Sequence, residues 1–193
     1  MDLKQLMDPT VMGIAVLIIL VVAVLAALYV RRRRAATATL RQRFGPEYEQ
    51  AVREHGSERQ AQAQLVDREK RVERLKVRDL DPTERERFSA QWQSLQSRFV
   101  DDPKGAVIEA DALLSSLMQT RGYPVADFDQ RAADISVDHP RVVANYRSAH
   151  AIALQLAKGE ANTEELRNAT IHYRSLFEEL VQVPTVVKVK EVA

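Results

Sequence analysis

The run from Val11 to Val30 holds no charged residue and is closed at once by Arg31, Arg32, Arg33 and Arg34. Few features constrain a chain more. As a helix rising about 1.5 Å per residue, such a run reaches across the roughly 30 Å hydrocarbon core of a bilayer. The charges around it are lopsided: Lys4 alone precedes it, beside Asp2 and Asp8, while Arg41 and Arg43 follow the four arginines. A cleaved signal peptide carries its positive charge ahead of the apolar region, so this order reads as a single-pass transmembrane helix. The excess of arginine on the C-terminal side then places the N-terminus outside and the remainder in the cytoplasm. Arg31, Arg32, Arg33 and Arg34 form the expected membrane interface, in reach of the lipid bilayer's anionic head groups.

Outside that run the chain is charge-rich and close to neutral, with 28 Lys plus Arg against 27 Asp plus Glu in 193 residues. It lacks cysteine altogether, which excludes disulfides, thiolate nucleophiles and cysteine-ligated metal sites. The expected organisation is a short N-terminal segment (1–10), the transmembrane helix (11–30), and a basic juxtamembrane region with a polar helical arm (31–80). A helical bundle (81–182) and a tail (183–193) follow.

Punctuation by glycine and proline sets the helices. Gly45-Pro46 ends the first helix near Phe44 and opens a short one to His55, stopped by Gly56. Ser57 and Gln60 make a capping pattern for a longer helix to about Val77, whose thin stripe is Ala61, Leu65, Val72 and Leu75. Asp67 with Arg71 and Glu73 with Lys76 are its expected surface pairs. This arm is either a coiled-coil or partner-binding element or a solvated spacer.

From Asp81 the stripes widen. Asp81-Pro82-Thr83-Glu84 is a helix start, followed by Phe88, Trp92, Leu95 and Phe99 on one face. Asp102-Pro103 opens a second helix with Val107, Ala110, Leu114 and Leu117, closed at Gly122 in a Schellman-type ending where Tyr123 can contact Met118. Residues 125–138 read as a connection with one helical turn around Asp127 to Asp134. His139-Pro140 begins a third helix striped by Val142, Tyr146, Ala149, Ala153 and Leu156, and Gly159 ends it. Asn162 with Glu165 caps a fourth, carrying Leu166, Ala169, Tyr173, Leu176 and Leu180. The fold class is therefore all-α, with roughly a four-helix bundle after the arm. The alternation of Val187, Lys188, Val189 and Lys190 in the tail is strand-like, yet no second strand is predicted to pair with it, so the tail reads as disordered, the alternative being a short segment that adds to a partner's sheet edge.

Known chemistry finds little to attach to. His55, His139, His150 and His172 form neither Glu-x-x-His pairs nor HExxH, the isolated glycines make no phosphate loop, and no cofactor or metal site is expected. Basic residues of the bundle alternate with acids, which argues against nucleic acid as a partner. Asp101, Asp102, Asp127, Asp129, Asp134 and Asp138 lean acidic, but helix capping accounts for Asp102 and Asp138 and solvation for the others. Tyr146 and Tyr173 lie on stripes and read as core residues with a polar rim.

The segments Arg98-Phe99-Val100-Asp101-Asp102-Pro103, Arg121-Gly122-Tyr123-Pro124 and Asp138-His139-Pro140 carry a resemblance, as do Leu40 to Tyr48 and Tyr173 to Phe177. Across residues 40–181 the chain resembles a group of uncharacterised bacterial proteins often labelled hypothetical or secreted. The resemblance implies a bacterial source, hence an inner-membrane location for the tethered domain, and implies no activity.

Two functions fit these readings. The first is a membrane-anchored interaction or scaffold domain binding a protein partner, through a groove beside Arg121, Tyr123, Asp138, His139, Arg141, Tyr146 and His150. The second is a small-ligand-binding or enzymatic bundle that uses His150, with His172 and Asp111 or Glu109 nearby. A cavity with several convergent polar groups would favour the second, and a filled interior would oppose it.

Overall fold

The computed structural model describes the backbone of residues 9–124 and 126–182, and the side chains of residues 17–182 apart from 33 and 125. Among these residues there are eight α-helices and no strand. The strand-like alternation at Val187 to Lys190 lies outside the described residues. The chain divides into two compact units, Met1–Arg43 and Phe44–Ala193.

The described residues of the first unit lie on α1 (Pro9–Phe44), an unbroken helix that ends where Gly45-Pro46 predicts. Leu17, Ile18, Leu25 and Tyr29 along it are all exposed. The expected transmembrane span is corrected here: among the described residues, no helix is long and apolar enough to cross a membrane. The described helix runs on without a break through Arg31, Arg32, Arg34, Arg41 and Arg43. The single-pass topology and the inner-membrane location lose their basis with the span.

The second unit begins with a helical hairpin. Its first helix, α2 (Pro46–His55), closes on Gly56 in the left-handed conformation. Ser57 Oγ then accepts from the Gln60 amide to start α3 (Glu58–Val72). Phe44, Tyr48, Ala51, Ala61 and Leu65 are completely buried, yet none belongs to the core cluster of the bundle. The arm is thus a packed hairpin rather than a spacer. Its helix is shorter than predicted, ending at Val72 instead of Val77, and Arg71 pairs with Asp134 at 2.8 Å rather than with Asp67.

The bundle comprises α4 (Pro82–Arg98), α5 (Pro103–Thr120), α6 (Phe128–Asp138), α7 (Val143–Ala157) and α8 (Thr163–Gln182). The Asp81 side chain accepts from the Glu84 amide at 2.8 Å while Glu84 Oε2 accepts from the Asp81 amide at 3.0 Å. We expect Asp81→Ala to lower stability by about 1 kcal/mol, read from the urea midpoint, since it leaves first-turn amides without an acceptor. Asn162 and Glu165 make the same reciprocal pair at the start of α8. The four predicted stripes converge: Phe88, Trp92, Leu95, Val107, Ala110, Leu114, Leu117, Tyr146, Ala149, Leu166, Ala169, Tyr173, Leu176 and Leu180 are all buried in one cluster. Trp92 stacks on Phe177 with ring centroids 4.7 Å apart.

The end of α5 also follows its sequence. Tyr123 N donates to Met118 O at 3.0 Å and Gly122 N to Gln119 O at 2.9 Å, the two bonds of a Schellman motif. Two boundaries differ from expectation. The stretch read as a connection contains α6, an 11-residue helix capped by Asp127, and α7 starts at Val143 rather than at His139-Pro140. Five of the α6 residues, Ala132, Asp134, Ile135, Ser136 and Val137, are buried. Polar residues on its inner face broke the apolar period that would have revealed it.

Candidate functional site

The seven residues nominated for a groove separate in space. Arg121 is almost wholly buried and donates to the carbonyls of Arg78 (3.2 Å) and Leu180 (2.7 Å), bracing the α5 end against α8 and the linker before α4. Beside it Tyr123 OH donates to Asp138 Oδ2 at 3.1 Å, and His139 Nδ1 lies 3.1 Å from Glu179 Oε1. These four side chains are engaged in cross-bracing rather than presented to a groove, while Arg141 is exposed.

Burial lowers the pKa of His139, and Arg121 adds to that effect against the opposing pull of Glu179 and Asp138. A neutral ring with its proton on Nδ1 can donate to Glu179. Because the folded pKa is depressed, the unfolded chain binds protons more readily between the two values. The contribution of His139 is therefore complete above the ordinary histidine value of about 6.5 and declines as pH falls below it. Urea midpoints at about pH 7.5 and about pH 5.5 should show this loss, and His139→Gln should reduce the slope.

Tyr146 and His150 belong to a different assembly, between α5, α6, α7 and α8. The Phe128 ring stacks on His150 with centroids 3.6 Å apart and tilts against Tyr146 at 4.8 Å. Tyr173 OH donates to Asp111 Oδ1 at 3.2 Å, and Arg131 lies 3.9 Å from the other Asp111 oxygen. Burial, reinforced by Asp111, pushes the Tyr146 hydroxyl up to about 12. Burial likewise lowers His150. Three polar atoms here, Tyr146 OH, Arg131 Nε and His150 Nδ1, are enclosed without a hydrogen-bond partner. Asp111 is part of this assembly, whereas Glu109 pairs with Arg98.

The more open arrangement lies where the hairpin meets α6 and α7, and none of its principal residues was nominated from sequence. Glu47, buried to 3% exposure, accepts from Arg68 at 2.9 Å and from Arg147 at 2.5 Å. Asp134, at 1% exposure, accepts from Arg71 Nε at 2.8 Å and from Gln130 Nε2 at 2.9 Å. Arg68 also reaches Ser136 Oγ at 3.5 Å. Two buried carboxylates thus hold three guanidiniums, and all three line one groove of about 490 Å³. Glu54, Asp127 and Asp129 complete its rim.

The guanidiniums are only partly satisfied. Arg147 Nε is buried without an acceptor, and the two terminal nitrogens of Arg71 make no hydrogen bond among the described residues. Arg71, held by Asp134 through Nε and partly exposed, is pre-set to meet an oxyanion with its terminal nitrogens without much further loss of side-chain freedom. A second groove, of about 570 Å³ along α7 and α8, differs in that its arginine, Arg174, is already paired with Glu178 at 2.6 Å. Among the described residues no cluster of three or more acids and histidines could hold a metal ion.

No protein family, curated protein or solved structure matches this chain.

Proposed function

We propose that the unit from Phe44 onward is a helical interaction domain, and that it receives a partner protein in the groove between the α2–α3 hairpin and helices α6 and α7. The observation that carries this reading is the set of arginines on the groove wall. Arg71 and Arg147 both line the groove and are each anchored by a buried carboxylate, and the two terminal nitrogens of Arg71 make no hydrogen bond among the described residues. Such pre-organised cations suit recognition better than packing, since a purely structural pair would satisfy both sides. The groove is open and polar.

A photo-crosslinking residue placed at Gln64, which lines the groove, should give one recurrent protein adduct in cells. The same residue at Leu154, exposed on α7, serves as the comparison. An adduct that depends on Gln64 and disappears with Arg71→Glu supports the reading. Equal labelling from both positions, or labelling indifferent to Arg71, refutes it.

The second reading, a ligand-binding bundle centred on His150, is favoured by the three unpartnered atoms around Tyr146. Tyr146 and Tyr173 are, however, completely enclosed, and neither groove described above is lined by them. Buried water can satisfy such atoms as well as a ligand can.

A further inference from the structure

We infer that α6 is an acid-released wall of this groove, clamped at both ends by histidines that hold it only while they are neutral. Its cap Asp127, with Asp129, Gln130 and Ala133, lines the groove, and Asp134 fixes Arg71 through Nε. Loss of the helix would therefore undo the groove. Little apolar packing retains it, since only Ala132 and Ile135 among its buried residues belong to the bundle's core cluster. The ends supply the rest. At the start, the Phe128 ring stacks on His150 of α7 with centroids 3.6 Å apart. At the finish, His139 is the C-cap: its amide donates to Ile135 O at 2.8 Å, and its ring Nδ1 lies 3.1 Å from Glu179 Oε1 of α8.

Both rings sit where a second proton is disfavoured. His139 is 5% exposed and near the Arg121 guanidinium, with Glu179 and Asp138 as the opposing charges. At His150 the enclosed Nδ1 has no hydrogen-bond partner. In the neutral ring this nitrogen can be the bare acceptor, whereas in the charged ring it carries a proton that nothing receives. Arg131 repels that charge, and Asp111 and Asp129 attract it. Burial is the largest influence on both rings and lowers both pKa values, so the freed helix takes up protons more readily than the clamped one. The clamp is therefore complete above the ordinary histidine value of about 6.5 and weakens as pH falls below it. For its effect on a partner this inference rests on the interaction reading above, while the clamp itself acts without one.

The test is amide hydrogen exchange of the full chain at about pH 7.5 and about pH 5.5, each rate taken relative to an unstructured peptide at the same pH. At both pH values α6 should be less protected than α4, α5 and α8, which marks a local opening rather than unfolding of the whole unit. Its opening should rise about three- to tenfold across the step, the ceiling being about tenfold for each histidine taken one pH unit below its ordinary value. The double variant His139→Gln, His150→Gln should abolish the rise, and His150→Gln alone, at a partly exposed position, should remove part of it. Protection of α6 equal to that of the slowest amides of α5 and α8, protection indifferent to pH, or a rise that survives the double variant overturns the inference. Exchange is read without a partner, so any of these results leaves the interaction reading in place, and a missing Gln64 adduct leaves the clamp in place.

Discussion

Glu47→Gln is expected to be among the most damaging single substitutions in the chain, lowering stability by about 3 kcal/mol. Glu47 is buried and receives both Arg68 and Arg147, across 21 and 100 residues of sequence. A neutral amide of the same shape leaves two guanidiniums beside a group that can no longer balance them. Breaking one partner of a buried ion pair costs about 3–5 kcal/mol, because the orphaned charge stays desolvated. Arg68 also faces Glu54 at 3.8 Å, which places the expectation at the lower end. Urea unfolding followed by circular dichroism would measure it, and a loss below about 1 kcal/mol would assign the ion pairs to the weak surface class.

Gly122→Ala should cost a similar amount for an unrelated reason. Gly122 has φ of 98° at the end of α5, and a Cβ there would stand 2.4 Å from the Lys76 carbonyl oxygen. The conformational term for a non-glycine residue is about 1–2 kcal/mol, and forcing the linker backbone away adds about 1–3 kcal/mol. A total of about 3 kcal/mol follows. The contact cannot relax locally, since Arg78 N donates to Arg121 O at 2.8 Å immediately beside it. The same urea experiment reads the loss, and an unchanged midpoint would mean that the linker moves aside at little cost.

What the sequence disclosed follows from the range of the interactions involved. Caps and glycine stops act over three to five residues, so the starts at Asp81, Asp102 and Asn162 and the ending at Gly122 were legible. Stripes set by burial, such as Phe88, Trp92 and Leu95, were legible for the same reason. α6 was hidden because Asp134 and Ser136 occupy its buried face, and what makes them tolerable there is supplied by Arg71 and Arg68 from another helix. The groove failed to show for that reason in stronger form: Arg71 and Asp134 are 63 residues apart, and no local pattern announces their meeting. The nominated groove erred in the opposite direction. Arg121, Tyr123, Asp138 and His139 are close in space, as their positions near helix ends suggested, but their polar atoms brace the fold. The uncharged run of α1 was read as a membrane span, whereas among the described residues no helix is long and apolar enough to cross a membrane.

The central claim is that ion pairs dock a separate hairpin onto the bundle and thereby form the groove. Hydrogen exchange of the full chain, compared with Glu47→Gln, tests it most directly. The account predicts that the substitution accelerates exchange in α2, α3 and α6 while α4, α5 and α8 keep their protection, since the hairpin's buried residues stand outside the bundle's core cluster. Uniform acceleration across all these helices, or none in α2 and α3, would contradict it.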